Sequence, residues 1–220
     1  MIKWSFSGLK QYLNCAKQYQ EVKVLKNFVV KETAQMKYGT DVHQALEDYG
    51  KNGKTLPLNY QRFKPIVDPL LAIEGDKYFE YEMALTLSKQ PCKFDAAEYW
   101  VRGIADLLIV DGDTAFVVDY KTGSNKYPEP KQLKLMALMT FAHFPKVNTV
   151  KAGLLFVMHN SFMPEEYTRS KQNSYWADFA GDLTRLELSG KTNHWPPNPS
   201  GLCGWCPVNT CAFHKDNADE

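Results

Sequence analysis

The sequence predicts a mixed α/β fold in which helices flank a central mixed sheet. Two runs rich in β-branched and aromatic residues, 99–110 and 114–121, are separated by the turn signal Asp111-Gly112-Asp113 and predict a β-hairpin. Segments with apolar residues at helical spacing lie on both sides of this hairpin. With 220 residues, of which 44% are hydrophobic, the chain can bury a core shared by helices and strands.

Three helices are predicted before the first strand. Residues 5–20 carry apolar side chains at helical spacing, and Ser5 or Ser7 can cap the helix. Residues 40–49 have an apolar face in the same way, and residues 60–73 predict a further helix. The N-terminal third of the chain is therefore expected to be helical.

The remaining elements alternate between strands and helices. Residues 79–87 alternate in polarity and predict a strand that precedes the hairpin. After the hairpin, residues 129–144 predict a helix, residues 149–158 a buried strand and residues 169–188 a long helix. We expect a single domain over residues 1–220, with a helical part (1–75), a sheet core (76–160) and a C-terminal helix with a cysteine cluster (161–220).

Charge and hydropathy limit the function classes. The formal net charge of +1 predicts no general attraction to polyanions, so a nucleic-acid surface would have to be local. The lysine-rich stretch 10–37 is one candidate for such a surface, and a solvated helix face is the alternative. The absence of a membrane-length apolar run and of a secretory signal predicts a cytoplasmic, intracellular protein with no membrane partner.

The hairpin carries two carboxylates and a lysine. If Gly112-Asp113 is a two-residue loop, Asp106 lies opposite Asp119, and Lys121 lies on the same face as Asp119. Facing like charges destabilise a sheet, and a hard divalent cation with oxygen ligands removes the repulsion. The pattern therefore predicts a metal site; the alternative, a solvated hairpin face, conflicts with the apolar neighbours of these residues.

The cysteines predict a second site. Cys203, Cys206 and Cys211 form a C-x2-C-x4-C cluster, and Cys15 supplies a distant fourth thiolate. Four thiolates can hold an iron–sulfur cluster or a zinc ion, and the spacing alone does not separate the two. Cys92 is expected to be a free thiol.

In their order along the chain, these motifs resemble the PD-(D/E)XK nuclease superfamily, in particular its RecB-like branch, which includes CRISPR-adaptation nucleases and phage exonucleases. The matching motifs are the G-x-x-x-H helix, the G-x-x-D strand and the D-x-K-T-G strand, at residues 39–43, 103–106 and 119–123. Cys15 and the C-terminal cysteines resemble the four-cysteine clamp of the iron–sulfur members. The resemblance implies a restriction-endonuclease-like core.

The resemblance also implies roles for individual residues. The metal ligands would be His43, Asp106, Asp119 and the backbone carbonyl of Tyr120, holding Mg²⁺ or Mn²⁺. Catalysis would further involve three other side chains: Glu82, Lys121 and Gln132. The sequence leaves open whether Lys121 acts as a base or stays cationic, and whether His43 only pairs with Glu47 within its helix. The family's Q-x-x-x-Y helix is changed here, because Met136 occupies the tyrosine position.

The implied function is a metal-dependent DNA exonuclease that processes single-stranded DNA or duplex ends in recombination, replication or repair. A [4Fe–4S] cluster, with zinc as the alternative, would join the two ends of the chain. The alternatives are a CRISPR-adaptation-type nuclease that trims spacer precursors and a DNA-binding or assembly module that does not cleave. The sequence does not decide between DNA and RNA, the polarity of digestion, protein partners in recombination or replication, or the presence of a homo-oligomer.

Overall fold

The computed structural model describes residues 2–126 and 128–215. The α-helices are α1 (Phe6–Asn14), α2 (Ala16–Tyr19), α3 (Ala34–Asn52), α4 (Lys64–Leu71), α5 (Lys131–His143) and α6 (Gln172–Thr192). The strands are β1 (Asp76–Leu85), β2 (Pro91–Cys92), β3 (Val101–Asp111), β4 (Thr114–Lys121), β5 (Thr149–Phe156) and β6 (Ser161–Thr168). A π-helical turn follows α2 (Gln20–Val24), and three short 3₁₀ segments complete the list: Leu58–Phe63, Arg169–Lys171 and Cys203–Trp205.

The six strands form one mixed sheet in the order β2-β1-β3-β4-β5-β6. Strands β4 and β5 are parallel and are connected through α5, whereas all the other neighbouring strands are antiparallel. A parallel pair requires such a crossover, because the last residue of the first strand and the first residue of the second lie at opposite ends of the two strands. The predicted fold class, a mixed sheet flanked by helices, is confirmed.

The chain divides into two compact units. One comprises the residues up to Glu32 and those from Ala177 onward, and the other comprises Thr33–Trp176. The single-domain organisation over residues 1–220 stays a prediction. No helix in the described part of the chain is long and apolar enough to cross a membrane.

The unit Thr33–Trp176 has a core between the sheet and the helices α3 and α4. Alternate residues of β3 and β4 point into this core together with side chains from both helices and the 3₁₀ segment, and the fully buried members include Val42, Phe63, Val67, Leu107 and Ile109. Leu108 and Val117, which alternate with the core residues, are also fully buried. Both faces of the sheet are therefore covered.

Helix α5 is apolar on almost all sides, as expected for a helix buried in a core. It packs closely on β3 at Gly103, where an added Cβ would lie 2.5 Å from Met136 Cε. A larger residue at position 103 would therefore require the end of the Met136 side chain to move. Met136, which stands where the resembling family carries tyrosine, is buried in this packing.

The unit formed by the two ends of the chain departs from the prediction at Cys15. Instead of one helix over residues 5–20, Cys15 is extended (φ −162°, ψ 109°) and separates α1 from α2. Its Sγ accepts a hydrogen bond from the Gln18 amide and so caps α2. The helical periodicity is unbroken across this point, so apolar spacing could not reveal the interruption.

Two edge strands were not predicted. Strand β2 has only two residues, and β6 contains Pro164 and two glutamates, which weaken a strand pattern. Strand β6 lies at the edge of the sheet, where one side of the strand needs no backbone donors. Proline is tolerated there for this reason.

Candidate active site

The hairpin has the predicted two-residue loop. The register of β3 and β4 runs from Asp111 opposite Thr114 to Leu107 opposite Val118. Gly112, the first loop residue, has a φ of +58°, which glycine adopts without steric cost. The ladder stops after Leu107 and Val118, so Asp106 and Asp119 follow at the point where the two strands separate.

Asp106 is buried and is held from two sides. Its Oδ2 accepts a hydrogen bond of 2.6 Å from the Tyr120 amide, in place of a ladder bond between β3 and β4. Its Oδ1 lies 3.3 Å from His43 Nδ1, and His43 Nε2 lies 3.0 Å from the Tyr120 carbonyl oxygen. Helix α3 thus brings its histidine onto the separated strands. The helix pair His43–Glu47 is not formed, since Glu47 instead pairs with Lys51 at 2.8 Å.

A second acidic residue, Glu80 of β1, completes the group formed by His43 and Asp106. Phe79 pairs with Leu107 and Tyr81 with Ala105, so Glu80 stands opposite Asp106. Ligand atoms of His43, Glu80 and Asp106 all lie within 4.8 Å of one another. Two carboxylates and an imidazole at this spacing can hold one divalent cation.

The backbone explains why Glu80, and not the predicted Glu82, lies beside His43 and Asp106. Glu80 has a φ of +47°, which interrupts the regular alternation of β1. Glu82 pairs with Ile104, and its side chain is exposed. The structure therefore does not bring Glu82 into the group. A positive φ at a non-glycine residue has no periodic signal in a sequence, so the periodicity could not select Glu80.

Asp119 belongs to a second, adjoining group. The Lys121 ammonium lies 2.6 Å from Asp119 Oδ2 and donates to Gln132 Oε1 at 2.9 Å. The Gln132 amide in turn donates to Asp119 Oδ1. The three predicted residues Asp119, Lys121 and Gln132 are thus brought together, whereas Asp119 lies outside the 4.8 Å group formed by His43, Glu80 and Asp106.

The titratable groups show that negative charge is concentrated here. Burial raises the pKa of Glu80 to about 7, and the Asp106 charge adds to the shift. Burial and the Asp106 charge likewise raise the pKa of Asp119, and Lys121 opposes the shift. Burial alone would lower the pKa of His43, but its contact with Asp106 and the neighbouring carboxylates raise it overall. A bound cation would relieve this repulsion.

The two glutamates of β1 give a matched test of the metal group. Glu80→Gln is expected to weaken Mn²⁺ binding at least tenfold, the lower end of the loss seen for residues that only support a metal ligand. Glu82→Gln is expected to leave Mn²⁺ binding within about twofold of the unchanged protein. Titration of the metal-free proteins with Mn²⁺, followed by electron paramagnetic resonance, measures both. Equal effects of the two substitutions would contradict the placement of Glu80.

The four predicted cluster cysteines line one cavity in the unit formed by the chain ends. Cys15, Cys203, Cys206 and Cys211 all contribute to its wall. The Gln18 side-chain amide donates to Cys206 Sγ, and the Ser200 amide donates to Cys203 Sγ. None of the chain's cysteines, Cys92 included, forms a disulfide in the described structure.

The spacing of the sulfur atoms bears on what this cavity can hold. Within residues 2–126 and 128–215, no three cysteine Sγ atoms lie within 4.8 Å of one another. Tetrahedral zinc with Zn–S distances of about 2.3 Å needs sulfurs about 3.8 Å apart. Side-chain rotations can close such gaps, so the cavity is a candidate site for either a zinc ion or an iron–sulfur cluster.

Comparison with known proteins relates the chain to a nuclease family. A family model described as the PD-(D/E)XK nuclease superfamily matches residues 68–211, about two thirds of the chain. The match spans the hairpin, the helix of Gln132 and the C-terminal cysteines. None of the curated protein sequences matches the chain at a significant level.

Solved structures share the fold at low sequence identity. The crystal structure of the "Putative exonuclease" from Eubacterium rectale is 14% identical, with a TM-score of 0.54, and the match covers 94% of this chain and 88% of that chain. The crystal structure of SSO0001 is 13% identical, with a TM-score of 0.48, and the match covers 94% of this chain and 83% of that chain. At such identities, the first of these likenesses shows a shared fold.

Proposed function

The chain belongs to the PD-(D/E)XK nuclease superfamily, and from this membership we propose that it is a metal-dependent DNA exonuclease acting at DNA ends. The observation that carries the proposal is the convergence of His43, Glu80 and Asp106 within 4.8 Å, beside the Asp119–Lys121 pair. A protein that only bound DNA would have no use for buried carboxylates that repel both each other and the substrate. The putative exonuclease with the same fold is consistent with this activity.

Three side chains would hold the divalent ion. The Glu80 and Asp106 carboxylates favour Mg²⁺ or Mn²⁺, and the His43 imidazole favours Mn²⁺ of the two. When bound, the ion would acidify a water molecule and neutralise charge that develops on the phosphate. The Tyr120 carbonyl oxygen, which was also predicted to bind the metal, lies 3.0 Å from His43 Nε2.

The Asp119 group would position the reaction. Asp119 and Gln132 hold the Lys121 ammonium from two sides. As a cation, Lys121 would stabilise the negative charge of the transition state rather than remove a proton from water. Gln132 orients both partners because it donates to one and accepts from the other.

The cysteine cavity supports a second cofactor. We propose that the four cysteines hold a [4Fe–4S] cluster, with zinc as the alternative, because all four line one cavity. The cluster would join the N-terminal and C-terminal segments of one unit. We further propose that the protein acts inside the cell, in recombination, replication or repair; the lack of disulfides among its cysteines agrees with a reducing setting.

Digestion of DNA labelled at one end tests the proposal. With Mn²⁺ or Mg²⁺, linear DNA is expected to lose nucleotides progressively from an end, whereas covalently closed circular DNA of the same sequence stays intact. A chelator is expected to stop digestion. Equal cleavage of circular DNA would replace the exonuclease assignment with an endonuclease, and binding without cleavage under every metal condition would indicate a binding module.

A further inference from the structure

Arg62 presents a fixed positive charge that contacts only uncharged groups. Its side chain is exposed, and Nη2 donates to the Tyr38 hydroxyl at 3.2 Å and lies 3.3 Å from Met158 Sδ. The guanidinium also lies over the Phe63 ring, 5.0 Å from its centroid. The Tyr38 hydroxyl donates to Met158 Sδ at 3.2 Å, which ties the phenol and the thioether together. No acidic partner of Arg62 occurs among the described residues.

The backbone under Arg62 is firmly anchored. Arg62 lies in the 3₁₀ segment Leu58–Phe63, in which the rings of Tyr60 and Phe63 stack 5.9 Å apart with an angle of 13° between them. Both rings are buried in the core on α3 and α4. The backbone of Arg62 is therefore already ordered, so binding of a ligand by its guanidinium costs less conformational entropy than binding by an arginine on a mobile loop.

The other three arginines of the chain are already engaged. Arg185 pairs with Asp182 at 2.6 Å, and Arg169 donates to two backbone carbonyl oxygens. Arg102 lies between two aromatic rings, each 4.8 Å from its guanidinium carbon. Within the described chain, Arg62 alone combines an exposed guanidinium with the lack of an acidic, carbonyl or double aromatic partner.

Tyr38 and Met158 each adjoin in sequence a residue that lies against the end of β4, at Lys121 and Thr122. Met158 follows Val157, whose amide donates to the Lys121 carbonyl at 3.1 Å. Tyr38 precedes Gly39, where an added Cβ would lie 3.2 Å from Thr122 Oγ1. Through Tyr38 and Met158, Arg62 is thus connected to the segments that flank the C-terminal end of β4, the strand that carries Asp119 and Lys121.

We propose that Arg62 binds a phosphate of the substrate strand next to the one that is cleaved. A guanidinium can bind a phosphate with two parallel hydrogen bonds, and its charge here is not neutralised by the protein. A contact of this kind sets the register of the strand without reading its sequence. The inference rests on the proposed nuclease function, and it adds the residue that positions the substrate.

Salt-dependent binding tests the contact. In an Asp119→Asn background, which prevents cleavage, Arg62→Ala is expected to weaken binding of fluorescent DNA about tenfold at low salt. The slope of log affinity against log salt concentration should become shallower by about 0.7 to 0.9, the amount expected for one phosphate contact. Arg185→Ala, which removes an exposed but paired arginine, should change neither quantity. An unchanged slope in the Arg62→Ala protein would overturn the inference.

Neutral linkages locate the phosphate. Single methylphosphonate substitutions along the DNA should weaken binding to the Asp119→Asn protein at the contacted position, and that positional loss should vanish in the protein that also carries Arg62→Ala. DNA with and without a terminal phosphate distinguishes an internal linkage from a terminal group. Arg62→Lys keeps the positive charge but lacks the planar guanidinium. It should retain most of the salt slope, which would show that the loss in Arg62→Ala is not caused by misfolding. A positional loss that persists without Arg62 would refute the contact.

These outcomes are separable from failure of the nuclease proposal. If wild-type protein never cleaves DNA, the binding slopes still report whether Arg62 contacts a phosphate. If cleavage occurs but the Arg62 variants bind like their controls, the nuclease assignment stands and Arg62 has no part in it.

Discussion

Asp106→Asn is expected to reduce cleavage of linear DNA by about a thousandfold or more. The side chain would lose its negative charge at the centre of the group formed with His43 and Glu80. A thousandfold loss corresponds to about 4 kcal/mol of transition-state stabilisation, within the several kcal/mol that a bound metal ion supplies. Single-turnover digestion at saturating DNA and varied Mn²⁺ measures the loss.

The same substitution should leave the metal-free fold intact or stabilise it. The Asp106 charge helps to raise the pKa values of both Glu80 and Asp119, which means that these carboxylates repel one another. An asparagine oxygen can still accept the hydrogen bond from the Tyr120 amide. In a chelator, the melting temperature of Asp106→Asn should therefore equal or exceed that of the wild type, while only the wild type gains stability on addition of Mn²⁺.

Asp111→Asn is the matched control for this prediction. Asp111 lies on the same strand, is exposed and pairs with Thr114 beside the hairpin loop. Its replacement should leave both cleavage and the Mn²⁺ effect on melting unchanged. If Asp106→Asn cleaved DNA within a few-fold of the wild type, the metal group assigned to His43, Glu80 and Asp106 would be refuted.

Cys203→Ser should remove the iron–sulfur cluster and much of the protein's thermal stability. The link from Cys15 to Cys203 closes a loop of roughly 190 residues, and loop closure of that length is worth about 5 kcal/mol by analogy with disulfides. For a chain of this size, such a loss lowers the melting temperature by roughly 10 °C or more. When both proteins are purified without oxygen, Cys203→Ser should lack the visible absorption and the bound iron that the wild type has.

Cys92→Ser distinguishes cluster ligands from cysteines in general. Cys92 lies in β2 and is absent from the cavity that the four other cysteines line. Its replacement should keep the colour, the iron content and the melting temperature. Elemental analysis that finds zinc and no iron in the wild type would refute the cluster, and full stability and colour in Cys203→Ser would refute the assigned ligands.

Local rules of sequence predicted the hairpin and its register. The turn signal at Gly112 sets the register of two adjoining strands, so counting from it places Asp106 and Asp119 at the same level. The helix of Gln132 was predicted from a continuous apolar run that is longer than a typical strand. These inferences need only short-range geometry, which the sequence specifies directly.

The rest depends on long-range packing. Residues 86–100, which include the short strand β2, separate β1 from β3, and a connection of that length does not set the register. The alternating pattern therefore puts Glu80 and Glu82 on the same face of β1 and does not show which of them lies beside Asp106. The positive φ at Glu80 brings that residue there. The interruption at Cys15 escaped prediction for a similar reason, since a thiol cap leaves the helical periodicity unchanged.

The positive φ at Glu80 implies that two selective pressures oppose each other at this position. A left-handed backbone disfavours a non-glycine residue by roughly 1–2 kcal/mol, and the folded chain carries that strain whether or not an ion is present. Glycine would remove the strain and the carboxylate together. Laboratory evolution for heat resistance alone should thus replace Glu80 early, and the variants recovered in that way would be more stable and catalytically inactive.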